Sequence, residues 1–380
     1  MLPPPSRAPR AAILALCAAA MLACSETPEH ALAEARRLQD EGKTEAAMHK
    51  VDGVLEAHPG LFEARLLKAV IVGTKAGREE EALAALRQLA QAEPRRTGVH
   101  RAMGTILART GRFAQAVNQF EKELAIAPGD ADTLTDLGIF YFKTGQMDQA
   151  EDRLRRATEH GGGGARAWRT LAEVSFRASR FEEGLTQQRR AVELAPEDAD
   201  LLVSHARALG AYAHAADAKA LLDAAVARGM KDAAIPAEQA RQAREGLDYE
   251  GAVAAYKRSL DLDPKRSATL MELGKTYLLM GRRDEARVVF EGARDASPSD
   301  PYPWFYLGTM SADDGALDQA IADLRKSLDL DPVNPKAHYA LAQALLRSGR
   351  ADEARAEFAR HAESLDFLRG NRASGTSTLD

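Results

Sequence analysis

A sequence pattern that recurs every 34 residues constrains this chain more than any other feature. Between residues 267 and 332 it occurs twice in tandem, and each residue of the second copy lies 34 positions after its counterpart. The first copy consists of Leu270, Leu273, Gly274, Tyr277, Gly281, Ala286, Phe290, Ala293 and Pro298. The second consists of Trp304, Leu307, Gly308, Gly315, Ala320, Leu324, Ser327 and Pro332. The chain is therefore predicted to be an array of one repeated structural unit.

The spacing within a copy predicts two helices that pack against each other. Leu270, Leu273 and Tyr277 fall on one helix face, because they recur at the helical period. Gly281 ends that helix, a second periodic run follows, and a proline ends the run. The small residue Gly274 allows the two helices to approach closely. A single pair cannot bury its own apolar face, so neighbouring pairs must stack.

This pattern resembles the motif of the tetratricopeptide repeat family, in which Leu-Gly, Tyr, Ala, Phe, Ala and Pro recur within one repeat. Prolines that keep a constant register from Pro94 to Pro332, with Pro59 before them, indicate about ten copies between residues 28 and 368. The resemblance implies an all-α fold, a right-handed α-solenoid superhelix of tandem helix-turn-helix repeats with a concave inner face. The segment Gly161–Gly164 joins copies four and five and is predicted to be a turn or, alternatively, a hinge.

The beginning of the chain differs from everything that follows. A positively charged segment precedes an uncharged apolar run from Ala11 to Ala23, which is typical of a secretory signal. The run ends in Met-Leu-Ala-Cys, which resembles a bacterial lipobox with Cys24 as its lipidated residue. The resemblance implies a signal peptide over 1–23, a short tether over 24–27, and an anchor on the periplasmic face of the outer membrane. The alternative is a simple secretory signal, which would leave a soluble periplasmic protein.

Composition and motifs argue against several classes of function. The net charge is −5, whereas a nucleic-acid partner would require a basic surface. The nine histidines form no metal motif. The Gly-Lys-Thr triplets at residues 42–44 and 274–276 lack the upstream glycine of a phosphate loop. We therefore predict no catalytic residue, no metal and no cofactor, and the repeats leave no room for a catalytic domain.

The family resemblance also implies which residues face a partner, since the first helix of each repeat lines the inner face. The predicted groove residues are Arg101, Arg109, Phe142, Arg166, Arg169, Phe176, Arg177, Tyr302, Phe305 and Tyr339. Arg241, Arg244 and Lys275 occupy the same positions in later copies. Arginine pairs with carboxylates and stacks on rings, so a groove of basic and aromatic residues suits a protein or peptide. The alternative is that these side chains only solvate the face or pack between repeats.

These observations lead to competing hypotheses of function. The first is a lipid-anchored periplasmic scaffold that binds proteins or peptides and assists envelope, pilus or secretion assembly. The second is a non-catalytic subunit of a complex that makes or exports envelope polysaccharide, and the third is an enzyme. Residues 369–380 are predicted to be a disordered tail. Apolar residues near Phe367 are predicted to form a capping turn or a surface for self-association.

Overall fold

The computed structural model describes residues 27–159 and 162–373, and this part of the chain consists of helices joined by short turns, without a strand. The chain divides into two compact units, Met1–Gln187 and Gln188–Asp380, which are called here the first and the second unit. The predicted signal peptide over 1–23 and the lipidated Cys24 lie outside the described residues, as do the last seven residues, 374–380.

The first unit contains the first five helix pairs, with its boundary inside the tenth helix. Its helices are α1 (Pro28–Asp40), α2 (Thr44–Ala57), α3 (Phe62–Thr74), α4 (Glu79–Ala92), α5 (Val99–Arg109), α6 (Phe113–Ile126), α7 (Ala131–Lys143), α8 (Met147–Glu159), α9 (Gly164–Arg177) and α10 (Phe181–Leu194). Odd-numbered helices are the first helices of their pairs, and consecutive first helices contact each other along one face of the unit. We call this face the first-helix face.

The second unit continues the same alternation. Its helices are α11 (Ala199–Ala211), α12 (Ala215–Ala227), α13 (Ala234–Glu245), α14 (Tyr249–Leu262), α15 (Ser267–Leu279), α16 (Arg283–Ala296), α17 (Pro301–Asp313), α18 (Leu317–Leu330), α19 (Pro335–Arg347) and α20 (Ala351–Ala373). The prediction of an all-α solenoid of tandem helix pairs is confirmed, and α1 begins at Pro28, where the sequence places the first repeat.

Helix ends follow the chemistry that the repeat provides. The Asp130 side chain accepts a hydrogen bond of 2.9 Å from the backbone N–H of Thr133 and so caps the start of α7. Gly281 follows α15 with φ of +73°, a left-handed conformation that ends a helix and favours glycine. In most copies a proline follows the second helix and prevents its continuation.

The close approach of the two helices explains why glycine recurs in the first helix of the pair. A Cβ on Gly104 would lie 2.7 Å from the ring of Phe120, and one on Gly274 would lie 2.5 Å from the ring of Phe290. Both rings are fully buried, so they cannot move aside without cost. The prediction that Gly274 allows a close helix crossing is confirmed.

Two predicted segments lie at helix ends in the structure. Helix α20 extends to Ala373, with Leu365 and Leu368 half-buried in its last turns, and the disordered tail over 369–380 stays a prediction. Gly162–Gly164 forms the turn into α9, with positive φ at Gly163, while Gly161 lies outside the described residues. Phe367 is 55% exposed, and self-association there stays a prediction.

Candidate binding groove

A groove with a volume of about 580 Å³ lies on the first-helix face of the first unit. Helices α1, α3, α5, α7 and α9 all contribute to its lining. Leu66, Val70 and Ile106 supply the apolar part, and charged side chains from the same helices surround it. Five repeats therefore combine to build one polar-rimmed site, which none of them could form alone.

The lining includes three of the predicted groove residues, and each is held by a neighbouring first helix. Arg101 Nη1 lies 2.5 Å from Oδ2 of Asp132 on α7. Arg166 Nη2 donates to Oδ1 of Asp136, also on α7, at 2.9 Å. Arg109 donates to a backbone carbonyl near the end of α3. These contacts position the three guanidinium groups along the groove.

The groove is charge-balanced rather than basic. Its charged lining residues are Arg36, Arg101, Arg109 and Arg166 together with Asp40, Glu63, Asp132 and Asp136. The arginine-rich face expected from the sequence is neutralised, because acidic residues on neighbouring first helices face the same space. Burial raises the pKa of the Asp136 carboxyl above its usual value, even though Arg166 and Arg101 favour its charged form. The groove thus offers hydrogen-bond donors and acceptors in similar number.

The other predicted residues of the first unit have different surroundings. Cζ of Arg177 lies 4.4 Å from the ring centroid of Phe142, a cation–π contact between α9 and α7. Arg169 lies 3.6 Å from a glutamate one turn along its own helix. Phe176 packs against α10, where a Cβ on Gly184 would lie 2.5 Å from its ring. Phe176 therefore contributes to the packing of its own helix pair.

The predicted aromatic residues of the second unit are partly exposed. Tyr302 is 51% exposed at the start of α17. Phe305 is half-buried against the core of the last two pairs, and its ring is T-shaped to that of Tyr306 at 5.2 Å. Tyr339 packs edge-on against Phe358 of α20 at 5.8 Å between ring centroids. Tyr302 is the most exposed of the three to a partner.

Sequence reasoning missed the acidic residues of the groove. Asp132 and Asp136 are absent from the predicted groove residues, yet they hold Arg101 and Arg166 in place. The sequence spacing could have revealed these pairs, because the two residues of each pair are separated by close to one repeat length. Arg166 and Asp136, for example, are 30 residues apart. Residues so spaced occupy similar positions on adjacent first helices and can meet across the groove.

Within residues 27–159 and 162–373, no three His, Cys, Asp or Glu side chains are grouped so that they could hold a metal ion. No helix in these ranges combines the length and apolar character needed to cross a bilayer. The groove combines a charged lining with the apolar side chains of Leu66, Val70 and Ile106.

Comparison with known proteins identifies the repeat. Two family models described as "Tetratricopeptide repeat" match the chain, and together they cover more than half of it. One matches residues 107–174, 243–304 and 311–366, and the other matches residues 74–131. The C-terminal part of a TPR repeat-containing protein from Cytophaga hutchinsonii superposes with a TM-score of 0.50 at 14% identity, over 63% of this chain and 98% of that one. This similarity concerns the fold alone.

Two curated proteins are similar in sequence to part of the chain. "Cellulose synthase operon protein C" of Pseudomonas fluorescens is 25% identical over 240 residues, which is 58% of this chain and 19% of that protein. "Cytochrome c-type biogenesis protein CycH" of Rhizobium meliloti is 33% identical over 135 residues, which is 34% of this chain and 35% of that protein. The chain therefore matches about a fifth and about a third of the lengths of these relatives.

Proposed function

Because this chain belongs to the tetratricopeptide repeat family, whose members bind proteins and peptides, we propose that it is a lipid-anchored periplasmic scaffold. Its partner is a protein or peptide segment that lies in the groove of the first unit, and its role is to assist assembly in the cell envelope. The observation that carries this proposal is the groove itself, to which five successive first helices contribute.

The chemistry of the groove supports an extended peptide with polar side chains of both signs. An extended segment presents its own N–H and C=O groups, and these need partners when they leave water. The arginines Arg101 and Arg166 donate, while Asp132 and Asp136 accept. One partner of each pair, Asp132 or Arg166, is largely exposed to water, so each pair can exchange its internal contact for a group on the ligand.

A charge-reversal experiment tests the groove. We expect the double variant Arg101→Glu/Arg166→Glu to lose the partner that the unchanged protein captures in cells by chemical crosslinking. The matched control is Arg87→Glu/Lys122→Glu, which reverses two cations on α4 and α6 that do not line the groove. Circular dichroism checks that both variants keep their helices. Equal capture of the partner by the two double variants would refute the groove assignment.

The proposed anchor rests on the apolar run before Cys24 and on the start of α1 at Pro28, which leaves a tether of a few residues. We expect Cys24→Ser to move the protein from the membrane fraction to the soluble periplasmic fraction. Cys17→Ser is the matched control, because Cys17 lies inside the apolar run and should not matter. Unchanged membrane association of Cys24→Ser would contradict lipidation, and release would agree with it.

The similarity to cellulose synthase operon protein C favours a second candidate function. In that case the chain is a non-catalytic subunit of a complex that makes or exports an envelope polysaccharide. The crosslinking experiment separates the two candidates, since identification of the captured protein by mass spectrometry reveals its class. A polysaccharide synthase or export component supports the second candidate. A pilus, secretion or other envelope assembly protein supports the first.

A further inference from the structure

The second unit contains a smaller cavity with a different balance of charge. Its volume is about 350 Å³, and α11, α13, α14, α15 and the turn before α15 line it. The charged lining residues are Arg207, Arg241, Arg244 and Arg266 against Glu238 and Glu272. Unlike the groove of the first unit, this cavity has an excess of positive charge, which would favour an anionic ligand.

The two glutamates of the cavity are already engaged by cations of the protein. Glu238 is 2% exposed, and it accepts hydrogen bonds from Arg207 at 3.2 Å and from Arg241. Glu272 lies 2.7 Å from Arg244 and 2.8 Å from a lysine on its own helix. Their charges are therefore satisfied within the fold. Neither carboxylate pairs with the remaining donors that line the cavity.

Two donors in the lining have no such partner among the described residues. Tyr256 is 1% exposed, yet its hydroxyl makes no hydrogen bond. Arg266 is half-buried and has no carboxylate within ion-pair distance in the described part of the chain. Burial raises the pKa of Tyr256 to about 12, so its hydroxyl keeps its proton at physiological pH. An unpartnered buried hydroxyl is costly to the fold.

The other repeats show that packing does not need this hydroxyl. Tyr256 occupies the same position in its repeat as Phe120 and Phe290 do in theirs, and all three rings are fully buried. Phenylalanine fills this position in those pairs, so the phenol oxygen is an addition to the fold. Tyr256 lines the same cavity as Arg266, which also lacks a partner.

We propose that this cavity binds a carboxylate of an acidic peptide segment, to which the Tyr256 hydroxyl donates and with which Arg266 forms an ion pair. A carboxylate supplies the acceptor oxygens that both groups lack, and a hydrogen bond to a charged acceptor is among the stronger kinds. The site goes beyond the proposed function, which concerns the groove of the first unit. Its failure would leave that function untouched.

The carboxylate can come from an acidic side chain or from the C-terminus of the partner, and defined probes separate these sources. We would titrate the full chain in detergent with three fluorescein-labelled peptides and follow fluorescence anisotropy. The first is (Gly-Glu)₃ with a blocked C-terminus, the second is its (Gly-Gln)₃ counterpart, and the third is (Gly-Gln)₃ with a free C-terminus. We expect the first or the third to bind about tenfold more tightly than the second.

Variants connect this binding to the proposed donors. Tyr256→Phe and Arg266→Gln should each weaken binding of the preferred peptide by about tenfold, which is the loss of one charge-assisted contact. Arg258→Gln is the matched control. Arg258 is an exposed cation on α14, the helix that also carries Tyr256, and it does not line the cavity. It should bind the peptide as the unchanged protein does.

Thermal unfolding of Tyr256→Phe distinguishes a hydroxyl that serves binding from one that only stabilises the fold. Removal of an unpartnered buried hydroxyl should leave the unfolding midpoint equal or higher while binding is lost. A lower midpoint would show that the hydroxyl serves the fold and would overturn the proposal. Equal binding of all three peptides, or unchanged binding by Tyr256→Phe, would overturn it as well.

Discussion

We expect His205 to make the stability of the second unit sensitive to acid. It lies in α11 with 3% of its surface exposed, and its Nδ1 atom has no hydrogen-bond partner. In five other copies the same position holds a buried leucine, namely Leu137, Leu171, Leu273, Leu307 and Leu341. Burial in this apolar position, together with the nearby charge of Arg189, lowers the pKa of His205 from 6.5 to about 4.

The direction of the effect follows from this lowered pKa. The folded protein holds His205 neutral, whereas the unfolded chain accepts a proton as the pH falls below 6.5. The contribution of neutral His205 to stability is therefore fully present above pH 6.5, and it is lost progressively as the pH falls towards 4. At about 1.4 kcal/mol for each pKa unit, the full loss is about 3 kcal/mol. Between pH 7 and pH 5 the same linkage gives a loss of about 2 kcal/mol.

The variant His205→Leu restores the leucine of the other copies and should remove this part of the pH dependence. The assay is urea unfolding at pH 7 and pH 5, followed by fluorescence of Trp304 in a Trp168→Phe background, so that only the second unit reports. Between pH 7 and pH 5, the free energy of unfolding should fall by about 2 kcal/mol more in the wild-type protein than in the variant. His214→Gln, which changes a partly exposed histidine of the same unit, is the control. An equal pH dependence of wild type and His205→Leu would refute the argument.

Two further substitutions test the packing of single repeats. Gly274→Ala places a Cβ 2.5 Å from the buried ring of Phe290 and should lower the unfolding free energy of the second unit by about 2 kcal/mol in urea titrations. Gly292→Ala is its control with the opposite sign, because its Cβ would meet nothing closer than 3.8 Å and alanine favours helix by up to about 1 kcal/mol. His338→Leu removes the 2.7 Å contact from Nδ1 to the buried carboxylate of Glu357 and should cost about 2 kcal/mol by the same assay. An unchanged urea midpoint for either Gly274→Ala or His338→Leu would contradict these contacts.

The repeat register predicted the helix pairs because it determines which residues lie between helices. Gly104 and Phe120 are 16 positions apart, as are Gly274 and Phe290, and both pairs make the same contact in the structure. A residue that packs between two helices has little freedom, so its type follows from its position. First helices alternate regularly with second helices along the chain, so the register also predicts which side chains share the first-helix face.

The register does not determine what a side chain on the first-helix face will contact. Arg101 and Arg166 line the groove, and their partners come from a helix one repeat away. Phe176 is on a first helix too, yet its ring lies against Gly184 of the second helix, where a larger residue would have excluded it. Pairing across about 30 residues depends on the residues of two repeats at once, and no single copy of the motif contains that information.

The positions where one copy departs from the others show which side chains packing does not require. The other copies show what packing alone requires at a position, so they act as internal controls. Leucine suffices where the second unit has His205, and phenylalanine suffices where it has Tyr256. Both departures leave a buried polar atom without a partner, which lowers stability. Because leucine and phenylalanine fill these positions in other copies, His205→Leu and Tyr256→Phe remove the polar atom while keeping an apolar side chain that the fold already accepts there.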